Sequence, residues 1–238
     1  MYRKELAYYF STPIAYIAIA LYLLAISLML WVVPGEWNII DSGYAQADGL
    51  MQLSPWLLIL LCPALTMRLF AEERQTGTWD VLRSKPVSLT HIVLGKYFAA
   101  WTVVVIAQLP CLVHFAVVST LAEPAGNVDS GAFFGGFIGL LLVSSSLTAI
   151  GTWASSLTKS QIVSFLIGIV ACFLMFYGFD ILASLCPPQI SQMWVSWFGL
   201  NFHLHSIALG VIDLRDLVYF PSVSTLFVAM TVLSLKHK

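Results

Sequence analysis

Seven long stretches of this chain carry no Asp, Glu, Lys or Arg: residues 6–35, 49–67, 97–122, 130–158, 160–179, 181–212 and 217–235. A helix needs ~20 predominantly apolar residues to cross a ~30 Å hydrocarbon layer. Stretches of this length and purity therefore read as membrane spans. They take up so much of the 238 residues that no room is left for a separate soluble domain of ordinary size. The chain is 59% hydrophobic and 10% charged, whereas a soluble domain is roughly a quarter charged. Its 11 Lys and Arg against 12 Asp and Glu give a net charge of -1. Without a cationic surplus to displace counterions, nucleic acid is excluded as an expected partner.

The sixth stretch departs from the rest. It holds Pro187 and Pro188 in tandem, then Gln189, Gln192, Asn201, His203 and His205. Backbone interrupted by tandem prolines cannot satisfy itself in lipid. Residues 181–216 are accordingly expected as an extracytoplasmic interfacial segment of short helices, with Trp194 and Trp197 at headgroup level. Six spans remain, at 14–33, 53–71, 96–121, 131–157, 160–180 and 217–235.

Charge placement supports that number. With the N-terminus in the cytoplasm, the inner segments 1–13, 68–96, 158–160 and 236–238 hold every Lys and Arg except Arg215. This is the bias that sets membrane orientation. A seventh span would move Lys236 and Lys238 outside and spoil it, so both termini are expected in the cytoplasm. Arg3 and Lys4 before an apolar run look superficially like a signal peptide. The run continues to Gly35 with no clear small-residue cleavage site, which reads as a retained span.

Chemistry is sparse. No GxxxxGK[ST] phosphate loop, HExxH or GxSxG pattern is present, and Gly95-Lys96 runs into Tyr97. No catalytic, metal or cofactor residue is expected. Cys62, Cys111, Cys172 and Cys186 form no CxxC pair and read as small apolar fillers. His203 and His205, two residues apart, would fall on opposite faces of a helix and read as polar residues near headgroups. No charge lies in mid-span, which disfavours an ion-coupled carrier. Gly131, Gly135 and Gly139 repeat every fourth residue and permit close helix approach, within the chain or to another subunit. Pro63 and Pro110 are expected to kink spans two and three.

The longest charged segment, 72–92, lies between spans two and three. Span two is expected to run on as a charged helix and stop near Gly77, with Thr78 capping a second helix, Asp80 in its first turn, and Val81 and Leu82 as apolar contacts. Pro86 ends that helix, and Ser88 or Thr90 caps span three. Such a helix suits docking into a groove on another protein. It would equally serve as a solvated connector.

The string Glu72-Glu73-Arg74 … Gly77-Thr78-Trp79-Asp80-Val-Leu82 … Ser84-Lys-Pro86-Val-Ser88 … Gly95-Lys96 resembles the signature between spans two and three of ABC-2 type transporter permeases. Two stretches look like the gliding-motility (GldF-type) branch, the second of them also like its nitrous-oxide-operon (NosY-type) cousin. They are Pro34-Gly35-Glu36 … Ser42-Gly43-Tyr44-Ala45, followed by Ser54-Pro55-Trp56, and Asn201-Phe-His203 … Asp213-Leu-Arg215-Asp216 … Tyr219-Phe220. Asp80 departs from the family, which more often has glutamate there.

The resemblance implies an all-α, six-span permease of the type V exporter kind in a bacterial inner membrane, with a cytoplasmic coupling helix seated on a separate dimeric ABC ATPase that binds ATP and Mg. It implies an N-terminal elbow helix over residues 1–13, with Tyr2, Leu6, Tyr9 and Phe10 toward lipid and Arg3, Lys4 and Glu5 toward water. Glu73, Gly77, Thr78, Asp80, Leu82 and Pro86 become the expected coupling surface, with Leu82 as the contact and the acids pairing with basic groups of the ATPase. A second permease subunit is implied, identical or related, with an extracytoplasmic domain of its own if the gliding-motility resemblance holds. The competing class is a membrane scaffold or anchor of a motility or secretion machine that moves no solute.

Overall fold

The structure, a computed structural model, describes every residue except 45–47, 85, 125, 187–189, 209, 211, 212, 237 and 238. Among the described residues it is built of helices: α1 (Tyr2–Ser11), α2 (Pro13–Trp31), α3 (Ile39–Ser42), α4 (Asp48–Thr66), α5 (Arg68–Gln75), α6 (Thr78–Arg83), α7 (Leu89–Gln108), α8 (Leu112–Leu121), α9 (Ser130–Leu157), α10 (Gln161–Phe173), α11 (Phe179–Leu185), α12 (Ile190–Ser196), α13 (Leu200–Ala208) and α14 (Leu214–Lys236). A 3-10 turn at Leu109–Cys111 joins α7 to α8, and a π-helical turn at Leu174–Gly178 joins α10 to α11. Six helical rods are long and apolar enough to cross a membrane: Pro13–Trp31, Asp48–Gln75, Leu89–Leu121, Ser130–Leu157, Gln161–Leu185 and Leu214–Lys236. An even number of crossings returns the last to the face where the first began.

α9 is the centre. It touches α4, α5, α7, α10, α13 and α14, while α2, α10 and α14 bury one side and show apolar side chains on the other. Its composition explains the position: no charge, and small or hydroxyl residues along its length. Hydroxyls serve because each can return its proton to a carbonyl of its own helix and still reach a neighbour. Ser145 and Ser146 meet Ser224 of α14 at 3.1 and 3.4 Å, and Trp101 donates to Ser144 Oγ at 3.2 Å.

The expected glycine stripe divides. Gly135 and Gly139 lie under α13, where a Cβ on Gly139 would stand 2.9 Å from Leu204 Cδ1. Gly131 has only Asp129 Oδ1 beside it, at 3.4 Å. The tightest crossing is at Gly151, where a Cβ would overlap Thr66 Oγ1.

The prolines act differently from one another. At Pro110 the rod of span three tightens into the 3-10 turn. α4 runs through Pro55 and Pro63 and is interrupted only at Met67. There Ser155 Oγ accepts from Phe70 N and Ala71 N at 3.0 and 3.2 Å and donates to Met67 O at 2.9 Å.

Beyond α11 the segment expected at the interface divides, with exposed side chains on α12 and an inward-facing α13. The tandem prolines Pro187 and Pro188, with Gln189, are outside the described residues. Trp194 and Trp197 are exposed, but α13 folds into the bundle and buries Leu200, His203, Leu204 and Ile207. Its apolar positions share one helical face, and glycines on α9 leave space for it.

A Gly151→Ala substitution is expected to cost about 1–3 kcal/mol through overpacking. Thermal unfolding in detergent measures it, and Thr66→Ala, which removes the clashing oxygen, is expected to restore most of the loss.

Candidate functional site

The charged segment between spans two and three leaves the bundle as two helices set at an angle. α5 ends where Gly77 adopts φ +73°, a left-handed conformation that costs glycine nothing, and α6 begins at once. Thr78 is the first residue of α6, and Gly77 occupies the capping position Thr78 was expected to fill. The Thr78 hydroxyl instead meets Thr76 Oγ1 at 3.0 Å and donates to Glu73 O at 3.4 Å. Ser88 caps α7 as expected, accepting from His91 N.

α6 is held from behind by Trp79, which is buried and stands edge-on to Phe70 with ring centroids 5.8 Å apart. Sequence reading passed over this residue. The available signal is an aromatic placed directly after the glycine turn in an otherwise polar segment. With Trp79 inward, Thr78, Asp80, Val81 and Arg83 face solvent, as do Pro86 and Val87 further on. Leu82, expected as the outward contact, is half-buried against the core. Val81 is the apolar side chain that projects, at 64% exposure.

Glu73 likewise faces inward. Lys96, buried on α7, donates to Glu73 Oε1 at 2.8 Å and to Glu5 Oε1 at 3.0 Å. One ammonium therefore joins α1, α5 and α7. The expected elbow orientation is corrected at two positions: Glu5 meets Lys96 instead of water, and Tyr9 points into the bundle instead of lipid. Tyr9 Oη donates to Leu65 O at 2.6 Å, and burial pushes its phenol well above the ordinary value, so it stays a neutral donor. Arg68 stacks on Tyr8 and Tyr9 of α1, its guanidinium carbon 4.5 Å from the Tyr8 ring centre and 4.8 Å from that of Tyr9. Tyr8 Oη donates to Glu72 at 3.2 Å. A cavity of about 300 Å³ lies among these groups, lined by Lys4, Glu5, Tyr8, Arg68, Glu73 and Lys96, with others. Arg74 fastens α5 to the end of α9 through Ser156 O at 2.7 Å.

Ionic and aromatic contacts thus tie α1, α5 and α7 together, with α6 anchored on α5 and displayed beyond the bundle. The arrangement is a short helix held to the bundle on one side and open on the other. Residues 40–233, from α3 into the last span, match the model of the ABC-2 family transporter proteins. The chain belongs to the ABC-2 transporter family. No curated protein matches it. As an ABC-2 protein it is a multi-pass membrane subunit of a transporter. α5 and α6 lie inside the matched region, while α1 and α2, including the Glu5 that reaches Lys96, precede it. Among the described residues no group of three or more His, Cys, Asp and Glu is placed to hold a metal.

Lys96→Met would leave two carboxylates facing each other in a buried site, a loss of about 3–5 kcal/mol. Thermal unfolding in detergent is expected to show a large drop for this variant and substantial recovery when Glu5→Gln and Glu73→Gln are added.

Proposed function

We propose that α6 is the surface through which a separate cytoplasmic ABC ATPase, carrying ATP and Mg, drives this permease. The observation that carries the reading is the pairing of a firm back with an open front. Trp79 seats α6 on Phe70, while Asp80, Val81 and Arg83 face outward, exposed among the described residues. An apolar side chain flanked by one acid and one base is the composition of a docking tooth. It stands at the end of the bundle that collects Lys and Arg, the cytoplasmic end by the positive-inside bias. Closure of the nucleotide-bound ATPase would push α6, and the push would pass through Gly77 and α5 to α1 and α7, which share Lys96. Glu73 and Leu82 serve inside this lever; Asp80 and Val81 form its contact, and Gly77 and Pro86 set its angle.

Six spans make half of a two-bundle pathway, so the working unit is this chain with a second permease subunit, identical or related, in a bacterial inner membrane. The likeness of 34–45 and 201–220 to gliding-motility permeases supports export linked to surface movement and a partner permease with an extracytoplasmic domain. Residue Ala45 of that likeness lies outside the described residues.

Copurification with the candidate ATPase and its hydrolysis rate, measured with and without the permease, test the reading. Val81→Asp changes an exposed side chain and is expected to leave the fold intact while weakening association on the order of tenfold, the effect of losing one good interface contact. Unchanged association and stimulation in Val81→Asp and Asp80→Lys would favour a scaffold that moves no solute.

A further inference from the structure

His203 is nearly the least exposed polar residue at the outer end of the bundle, at 1% exposure. Its Nδ1 lies 2.6 Å from Asp216 Oδ1 and its Nε2 lies 2.8 Å from the Trp197 carbonyl oxygen. Both ring nitrogens therefore face oxygens that accept. A neutral imidazole carries one N–H and satisfies only one of them; the other contact becomes lone pair against lone pair. One further proton, on the imidazole or shared with the carboxyl, makes both hydrogen bonds. Asp216 Oδ2 is buried with no hydrogen-bond partner, so among the described residues the carboxylate has the imidazole as its counter-ion.

This pair links three elements. Trp197 follows α12, His203 sits on the buried face of α13, and Asp216 is in the first turn of α14. The imidazole is also stacked on Tyr219 of α14, ring centroids 3.9 Å apart. Tyr219 is thus the titratable side chain in ring contact with the pair, and the remaining titratable groups nearby, among the described residues, are held elsewhere or exposed. α9 contributes no charged residue to the contact, and its Gly135 and Gly139 lie under α13. On α11, Asp180 is engaged by Asn201 Nδ2 at 2.7 Å. Tyr219 Oη donates to Phe198 O, and His205, Asp213 and Arg215 are exposed.

We propose that His203 and Asp216 form a proton-dependent latch at the outer end of the bundle, holding α13 in its seat against α9 and α14 when the shared proton is present and loosening it when the proton is lost. The latch needs no ATPase and does not depend on the role assigned to α6. By the inside-outside reading it faces the medium outside the inner membrane, so external acidity would tighten α13 and alkalinity would free it.

Hydrogen–deuterium exchange of residues 200–208 in lipid nanodiscs tests this, with rates corrected for the intrinsic pH dependence of exchange. On going from acidic to alkaline buffer, from about pH 5.5 to about pH 8.5, exchange of wild-type α13 is expected to rise on the order of tenfold. Asp216→Asn separates proton control from simple packing. An asparagine amide donates to Nδ1 while a neutral imidazole donates to Trp197, so every hydrogen bond is made without the extra proton. That variant is expected to stay protected and to show no pH step, whereas His205→Gln keeps the step. A flat wild-type profile, or a step that survives in Asp216→Asn, overturns the latch.

Discussion

The basic end of the molecule depends on how one ammonium is kept out of water. Lys96 sits almost fully buried on the third span, and burying an ion costs several kcal/mol unless partners replace its hydration. Two carboxylates do so, from helices far apart in sequence, and the Phe70 ring lies 5.5 Å away. Because the cost of separating them is high, α1, α5 and α7 are compelled to keep their relative positions. Arg68 between the rings of Tyr8 and Tyr9 reinforces the same junction. The turn from α5 into α6 falls at Gly77, which adopts φ +73° without steric cost.

In the hydrocarbon layer a different principle rules. Water gives no hydrophobic drive between helices there, so close approach and shared hydroxyls hold the bundle. α9 supplies both. Gly139 admits α13, Gly151 admits the end of α4, and Ser145 with Ser146 grips Ser224. α5 and α13 therefore abut the same central helix, α5 through Ser155 and α13 through Gly135 and Gly139. This shared support gives a displacement at one end a physical route toward the other.

Much of this was legible in the chain before its structure. Lipid tolerates neither charge nor unpaired backbone, so the number of spans followed from the uncharged runs and the Lys/Arg bias. The helix-turn-helix between spans two and three was signalled by Gly77 and Ser88, whose roles are local. What escaped were the contacts fixed by tertiary structure. Glu5 looks like a water-facing residue of an amphipathic helix until Lys96, 91 positions away, is brought beside it. Val81 and Leu82 look alike as apolar contacts, and which side of a six-residue helix faces out was decided by Trp79 finding Phe70. His203 read as a polar residue near headgroups, and spacing could not reveal that Asp216 returns to meet it.

The central claim is that α1 and α5 move as one body when the ATPase closes. Pulsed electron–electron distance measurements on the complex, with spin labels at the exposed positions Arg3 and Gln75 and a reference pair at Gln75 and Met193, test it most directly. The account predicts an Arg3–Gln75 distance that is the same with ATP and with ADP, while the Gln75–Met193 distance changes. An Arg3–Gln75 distance that shifts with the nucleotide would contradict it.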